Sequence, residues 1–191
     1  AHVNLALIVK FMPNFFMNPG EFPVIPRRDD DANDDFLFKQ GATKGLGRIQ
    51  FHDFAAAYDS KSLPNIEIFK QQIEALKMFG MMATPSAEQS KDIDFLLNMG
   101  ELFTLVAYGQ LLIEGAALDG VSDDMLDQCF DVIVREFSRY ALDLYHKPSA
   151  TETQQEYAQK MMARPAVDPE RAARVWETEV FSLVDQYEMP A

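Results

Sequence analysis

A single cysteine, Cys129, is all the sequence contains. That excludes an internal disulfide framework and any metal site built on several thiolates. Histidine is almost as scarce. His2, His52 and His146 lie far apart, with no His-x-x-x-His or Glu-x-x-His spacing among them, so nothing favours a metal centre. Basic residues are outnumbered, 17 Lys plus Arg against 30 Asp plus Glu, for a formal charge of −13. Such a field repels phosphate backbones and anionic lipid, so neither nucleic acid nor a membrane surface is an expected partner. Charges or prolines interrupt each apolar run before the ~20 residues of a spanning helix, so no membrane span is expected. No secretory signal is readable, and the expected location is the cytoplasm. Sustained strand alternation and Asn-Gly hairpins are missing as well, which leaves helix as the regular structure the pattern supports.

The residues present fit one large domain or two small ones: 191 residues, 48% of them hydrophobic. The chain opens on Ala1-His2-Val3-Asn4-Leu5-Ala6-Leu7 and runs on to Met12, already among apolar helix formers and with no capping residue ahead of them. An upstream part is therefore expected; a processed start with a trimmed tail is the competing reading. Pro13 should disturb this first helix, and Asn18-Pro19-Gly20 should end the helix or turn after it. Residues 19–62 read as an extended linker, stiffened by Pro23 and Pro26 and carrying Asp29, Asp30, Asp31, Asp34 and Asp35. These aspartates lack the spacing, central glycine and terminal glutamate of a calcium loop and read as a solvated acidic loop. Gly41, Gly45 and Gly47 fail as a phosphate loop because Lys44 precedes its glycine, and they read as a flexible turn. A short helical stretch is expected around Asp53–Asp59.

From residue 63 the periodicity is helical. Ile66, Phe69, Ile73, Leu76 and Phe79 follow Leu63-Pro64 at helical spacing, with an end predicted near Gly80. Ser86 with Gln89 fits a capping box, and so does Ser149 with Glu152. Between them a long stripe runs from Ile93 to Leu112, interrupted by Gly100, Gly109 and Gly115, each costing ~1 kcal/mol relative to alanine. Close approach of a neighbouring helix or a kink would explain them. Ser122 is the expected cap of the next helix, whose stripe is Leu126, Phe130, Ile133, Phe137, Tyr140, Ala141 and Leu144. Burying its five large aliphatic and Phe side chains yields roughly 1.5–3 kcal/mol each. Fixing about 20 backbone residues costs roughly 1–2 kcal/mol each, so the helix must pack on others. Asp168-Pro169-Glu170 signals a last helix carrying Val175, Trp176, Leu183, Val184 and Tyr187. The expected fold class is all-α: an antiparallel helical bundle over 63–191, after a long Pro/Asp/Gly-rich connection and an N-terminal helical segment, 1–18.

Within the chain no active site is legible. Cys129 reads as a buried structural thiol with no basic neighbour in sequence to activate it. The many carboxylates give no acid–base pair without geometry. Met78, Met81, Met82, Met161 and Met162 read as core filling before they read as a binding groove.

Several blocks carry a resemblance along the whole length. They are Ala1–Leu7 with Lys10-Phe11-Met12, Phe36–Gly41, Gly45-Leu46-Gly47 with Phe51-His52-Asp53, Gly100–Gln110, and the closing Tyr187-Glu188-Met189. In this order they resemble the C-terminal region of the larger bacterial acyl-CoA dehydrogenases, flavoproteins that introduce the α,β double bond into fatty acyl-CoA thioesters. In that family a Glu-Gly-Thr segment stands just before a helix similar to Ala1–Met12, and its glutamate is in many members the catalytic base. The resemblance implies that no catalytic residue lies in this chain, the base falling upstream of Ala1. It implies FAD as cofactor, with His2 and Asn4 at the edge of its site. His2 departs from the Gln common in relatives. The implied partners are the rest of the dehydrogenase, the fatty acyl-CoA substrate, electron-transfer flavoprotein and further copies in a homo-oligomer. A stand-alone helical adaptor and a split subunit completing a flavoenzyme remain open beside it.

Overall fold

This computed structural model describes residues 2–20 and 51–186 of the chain. The acidic run at 29–35, the glycine turn at 41–47, the Phe36–Gly41 block and Tyr187–Met189 lie outside the described residues. Every regular element among those described is helical, and none is a strand.

The N-terminal segment forms α1 (His2–Ile8), a 3-10 turn (Val9–Phe11) and α2 (Met12–Met17). Pro13 sits in the first turn of α2, where its missing N–H would have no helical partner, so the disturbance it causes is confined to the 3-10 turn before it. Asp53 caps α3 (Phe54–Asp59), its carboxylate accepting from the Ala55 N–H at 3.0 Å. Leu63, in extended conformation, feeds Pro64 into α4 (Pro64–Met82). The helix continues two residues past Gly80, because one exposed glycine weakens a helix without stopping it. Ile66, Phe69, Ile73, Leu76 and Phe79 are all buried, as their spacing predicts.

Two of the four predicted caps fall elsewhere. Ser86 and Gln89 exchange their reciprocal hydrogen bonds, at 2.9 and 3.1 Å, but these close a turn ahead of a single 3-10 turn, Gln89–Lys91. The long helix α5 (Ile93–Asp119) is capped instead by Asp92, whose carboxylate accepts from the Asp94 and Phe95 N–H groups. Ser149 lies in the turn closed by Ala150 N–H to the Lys147 carbonyl, so Thr151 is the residue left extended before α7 (Glu152–Met161). Thr151 and Gln154 make that capping box. Ser122 caps α6 (Asp123–Tyr145) and Asp168 caps α8 (Pro169–Val175), as predicted.

The two boxes are joined. Gln89 Nε2 donates to Gln154 Oε1 at 2.8 Å and Gln154 Nε2 returns a bond to Gln89 Oε1 at 3.0 Å. Their remaining amide protons reach the Ser149 and Ala83 carbonyls. Both side chains are buried, so this closed set leaves no polar group in need of water.

α4, α6 and α7 pack on one another, α5 packs on α6 and α1, and α8 packs on α6. Phe69 is central, with Phe137 at 5.3 Å, Phe130 at 5.8 Å and Tyr58 at 5.9 Å between ring centres. The α6 stripe is buried throughout except Tyr140, which is half-buried. α5 runs unbroken through its three glycines. A Cβ on Gly100 would lie 2.7 Å from the Leu5 carbonyl carbon and closer still to its oxygen, and one on Gly109 would collide with the Tyr58 hydroxyl. Close approach explains these two. Gly115 faces open space.

The structure corrects three expectations. α8 ends at Val175; a π-helical turn (Trp176–Val180) and a 3-10 turn (Phe181–Leu183) come next, so Trp176, Leu183 and Val184 lie past the helix expected to carry them, and are exposed. Met161 fills the core with Met12 and Met99, but Met81 and Met82 sit at the end of α4 and are exposed. α5 is long and apolar enough, by length and composition alone, to cross a membrane. Its four acidic residues, Asp94, Glu101, Glu114 and Asp119, are spread too thinly among apolar neighbours to bring the mean hydropathy down. Half of its apolar stretch is buried inside the fold, as in the core helix of a folded domain.

Candidate functional site

The N-terminal helices, residues 51–52 and α5 enclose an open cleft of about 590 Å³. The α1–α2 segment contributes Ile8, Phe11 and Phe15; α5 contributes Phe103, Thr104, Ala107, Gln110, Leu111 and Glu114. Helical spacing puts Phe103, Ala107, Gln110, Leu111 and Glu114 on adjoining rows of α5, and the glycine at 100 lets α1 come close enough to form the opposite wall. Phe15 is the floor. It stacks on Phe54 at 5.1 Å and meets Phe103 and Phe51 edge-on at 5.1 and 5.5 Å. Phe11 closes on Phe51 at 6.1 Å. The Gly20 N–H donates to the Phe51 carbonyl at 2.7 Å, tying the two chain segments together beside the cleft.

Polar side chains are few: His52, Thr104, Gln110 and Glu114. Gln110 Nε2 donates to Glu114 Oε1 at 2.9 Å, and the Thr104 hydroxyl donates back to the Gly100 carbonyl of its own helix. Tyr58, behind the cleft, gives its proton to the Val106 carbonyl at 2.7 Å. Burial pushes its phenol well above the ordinary range, outweighing a backbone hydrogen bond at Gln110 that acts the other way. It therefore stays protonated and serves packing. An apolar, aromatic-walled cleft with few polar groups suits a flat or chain-like apolar group. Among the described lining residues the one hydroxyl, Thr104, donates to a backbone carbonyl.

Asn4 is exposed on the first turn of α1, one to two turns before the cleft, and His2 is the first residue of that helix. His52 lines the cleft, whereas His146 lies at the far end of α6. Among the described residues no three His, Cys, Asp or Glu side chains come together as a metal site. Cys129 is half-buried and desolvation raises its thiol pKa, which disfavours the nucleophilic thiolate.

Sequence reasoning missed the strongest electrostatic feature. Asp127 and Asp131, one turn apart on α6, are buried with Arg171 of α8. Arg171 pairs directly with Asp127 and stands 3.9 Å from Asp131, which is also held by Arg135. Asn65, at the start of α4, donates its N–H to Asp127 at 2.8 Å and exchanges hydrogen bonds with Ala166. The cluster ties α4, α6, the 164–168 loop and α8 together. Its signal was available: Asp127, Asp131, Val134 and Ser138 form a second row beside the apolar stripe, a buried arc wider than the stripe alone.

No known protein family, curated protein or solved structure matches the chain.

Proposed function

We propose that the chain is the C-terminal helical region of an FAD-dependent acyl-CoA dehydrogenase acting on fatty acyl-CoA in β-oxidation, with residues 63–191 as an antiparallel helical bundle. One observation carries the reading. Three of the blocks that bear the resemblance, Lys10-Phe11-Met12, Phe51-His52-Asp53 and Gly100–Gln110, are remote in sequence yet supply most of the residues lining one cleft. A resemblance made of unrelated coincidences would have no reason to converge in space.

In this reading residues 1–18 end the dehydrogenase's own helical domain and 19–62 link it to the bundle. The catalytic base stands upstream of Ala1. Bound at the edge of this chain, FAD would supply a hydride acceptor for the acyl β-carbon, with Asn4 and His2 as this chain's residues toward it. Asn4, exposed on the first turn of α1, is able to meet a group held by another part of the protein, and His2 opens the same turn. Two residues are too few to hold the cofactor alone, so they would form only an edge of its site. The described residues add positioning: they fix α1 on α5. The natural setting is cytoplasmic, with electron-transfer flavoprotein as oxidant and a homo-oligomer as the assembly.

The test is turnover of a fatty acyl-CoA with an artificial electron acceptor. The product of the whole encoding gene is expected to turn over, and the 191-residue chain alone is expected to be inactive. Turnover by this chain alone, or a flavin-free full-length protein that binds a partner tightly, would overturn the reading, the latter in favour of an adaptor.

A further inference from the structure

We propose that the pocket between α6, the 164–168 loop and α8 binds a small monocarboxylate that carries an apolar body. The pocket measures about 530 Å³, the size of a small-molecule site, and shares no residue with the aromatic cleft. Arg164 is its distinguishing group. Of the five arginines among the described residues, Arg135, Arg139, Arg171 and Arg174 each hold a carboxylate within 4 Å. Arg164 holds none among the described residues, in a chain with a formal charge of −13. Its backbone is nonetheless fixed from both sides. The Ser138 hydroxyl accepts the Ala163 N–H at 2.9 Å, and Asn65 Oδ1 accepts the Ala166 N–H at 2.7 Å. Pro165, between these two anchors, removes a further backbone freedom. A guanidinium presented from so fixed a loop loses less entropy when it takes a ligand.

Two more donors come from α6, where Gln128 and Arg135 line the same pocket two turns apart. Arg135 spends Nε and Nη2 on Asp131, which leaves Nη1. Gln128 Oε1 accepts from Arg171 Nε at 3.3 Å, so the Gln128 amide nitrogen is the end left to donate. Guanidinium donors match the paired oxygens of a carboxylate. The other charges of the pocket are already engaged. Arg171 is paired with Asp127, Asp131 with Arg135, and Asp168 accepts from the Glu170 and Arg171 N–H groups. Arg164 therefore calls for a single negative charge, whereas a phosphate dianion would bring excess charge beside Asp131 and Asp168. Pro165, Val167, Pro169 and Ala172 supply an apolar wall, which calls for a hydrocarbon body on the acid.

This proposal goes beyond the proposed function and needs neither flavin nor acyl-CoA. The experiment is calorimetric titration of the 191-residue chain with 3-phenylpropionate. It is run at about 0.15 M salt, where charges beyond roughly 8 Å are largely screened. Wild type is expected to bind one equivalent with a Kd on the order of 0.1 mM. Arg164→Gln removes the cation and is expected to weaken binding about tenfold or more. Ala172→Leu fills the apolar wall with no change of charge and is expected to lose as much. Arg139→Gln, an exposed arginine on α6 outside the pocket, is expected to bind like wild type. Helical circular dichroism should be unchanged in all three. The neutral 3-phenylpropionamide is expected to bind about tenfold more weakly or worse, and equimolar inorganic phosphate to leave the acid bound. The proposal would be overturned by a wild type that takes up no acid at roughly 5 mM, about fifty times that Kd. Undiminished binding in Arg164→Gln or in Ala172→Leu, an amide as tight as the acid, or displacement by phosphate would overturn it as well.

Discussion

Arg171→Met is expected to destabilise the fold by about 3–5 kcal/mol, the largest loss expected from any single polar substitution in the chain. The Arg171 and Asp127 side chains are 5% and 3% exposed. Removing the guanidinium leaves the Asp127 carboxylate buried with only the Asn65 donors, and takes from Asp131 its second cation. It also takes one of two donors from the Ala166 carbonyl, which keeps Asn65, and removes the Nε donor of Gln128 at 3.3 Å. An uncompensated buried charge costs more than the pair contributes, so the double variant Arg171→Met/Asp127→Leu should lose less than the sum of the two single changes. Urea unfolding checks this: a midpoint lowered by roughly 1–2 M is expected for the single arginine change. Arg174→Ala removes a guanidinium that pairs with Asp124 on the surface, and it should leave the midpoint where it was. Equal effects at 171 and 174 would refute the role assigned to the cluster.

Gly100→Ala is expected to release the N-terminal helices from α5. Its methyl would enter the space of the Leu5 carbonyl, which is backbone and cannot rotate away. α1 must shift, at about 1–3 kcal/mol for the overpacking. Because Phe11 and Phe15 lie on the same segment, the shift also opens the aromatic cleft. Hydrogen exchange should show protection lost in residues 2–17 while α6 and α7 keep theirs. Gly109→Ala tests the same helix against a side chain: Tyr58 would have to move, breaking its bond to the Val106 carbonyl. Unchanged protection in α1 after Gly100→Ala would show that the close approach is not what holds the segment.

Helix type and most of the core were legible because they depend on local periodicity. The rows Ile66–Phe79 and Leu126–Leu144 bury where the spacing places them. Caps were less legible. Ser86 with Gln89 and Ser149 with Glu152 have the right residue types at the right spacing. Which candidate opens a helix depends on the turn that precedes it, and Asp92 and Thr151 win because their neighbours are already held in turns. The glycines of α5 carried the right question without its answer, since only a neighbour's position separates Gly100 from Gly115. Charge gave the poorest guide. Asp127 and Arg171 are 44 residues apart, and a buried pair that distant looks, in sequence, like two more surface charges. The cleft was not legible: the blocks that line it were noted only for their resemblance, and nothing in the sequence shows that α1 lies on α5 and brings them together.

The most direct measurement is the visible absorption spectrum of the purified full-length gene product before and after anaerobic addition of a fatty acyl-CoA. A yellow flavin band that bleaches on addition is the result the proposed function predicts, since hydride from the substrate would reduce a bound flavin. A colourless protein, or a flavin band that fatty acyl-CoA leaves untouched, would contradict the proposed function.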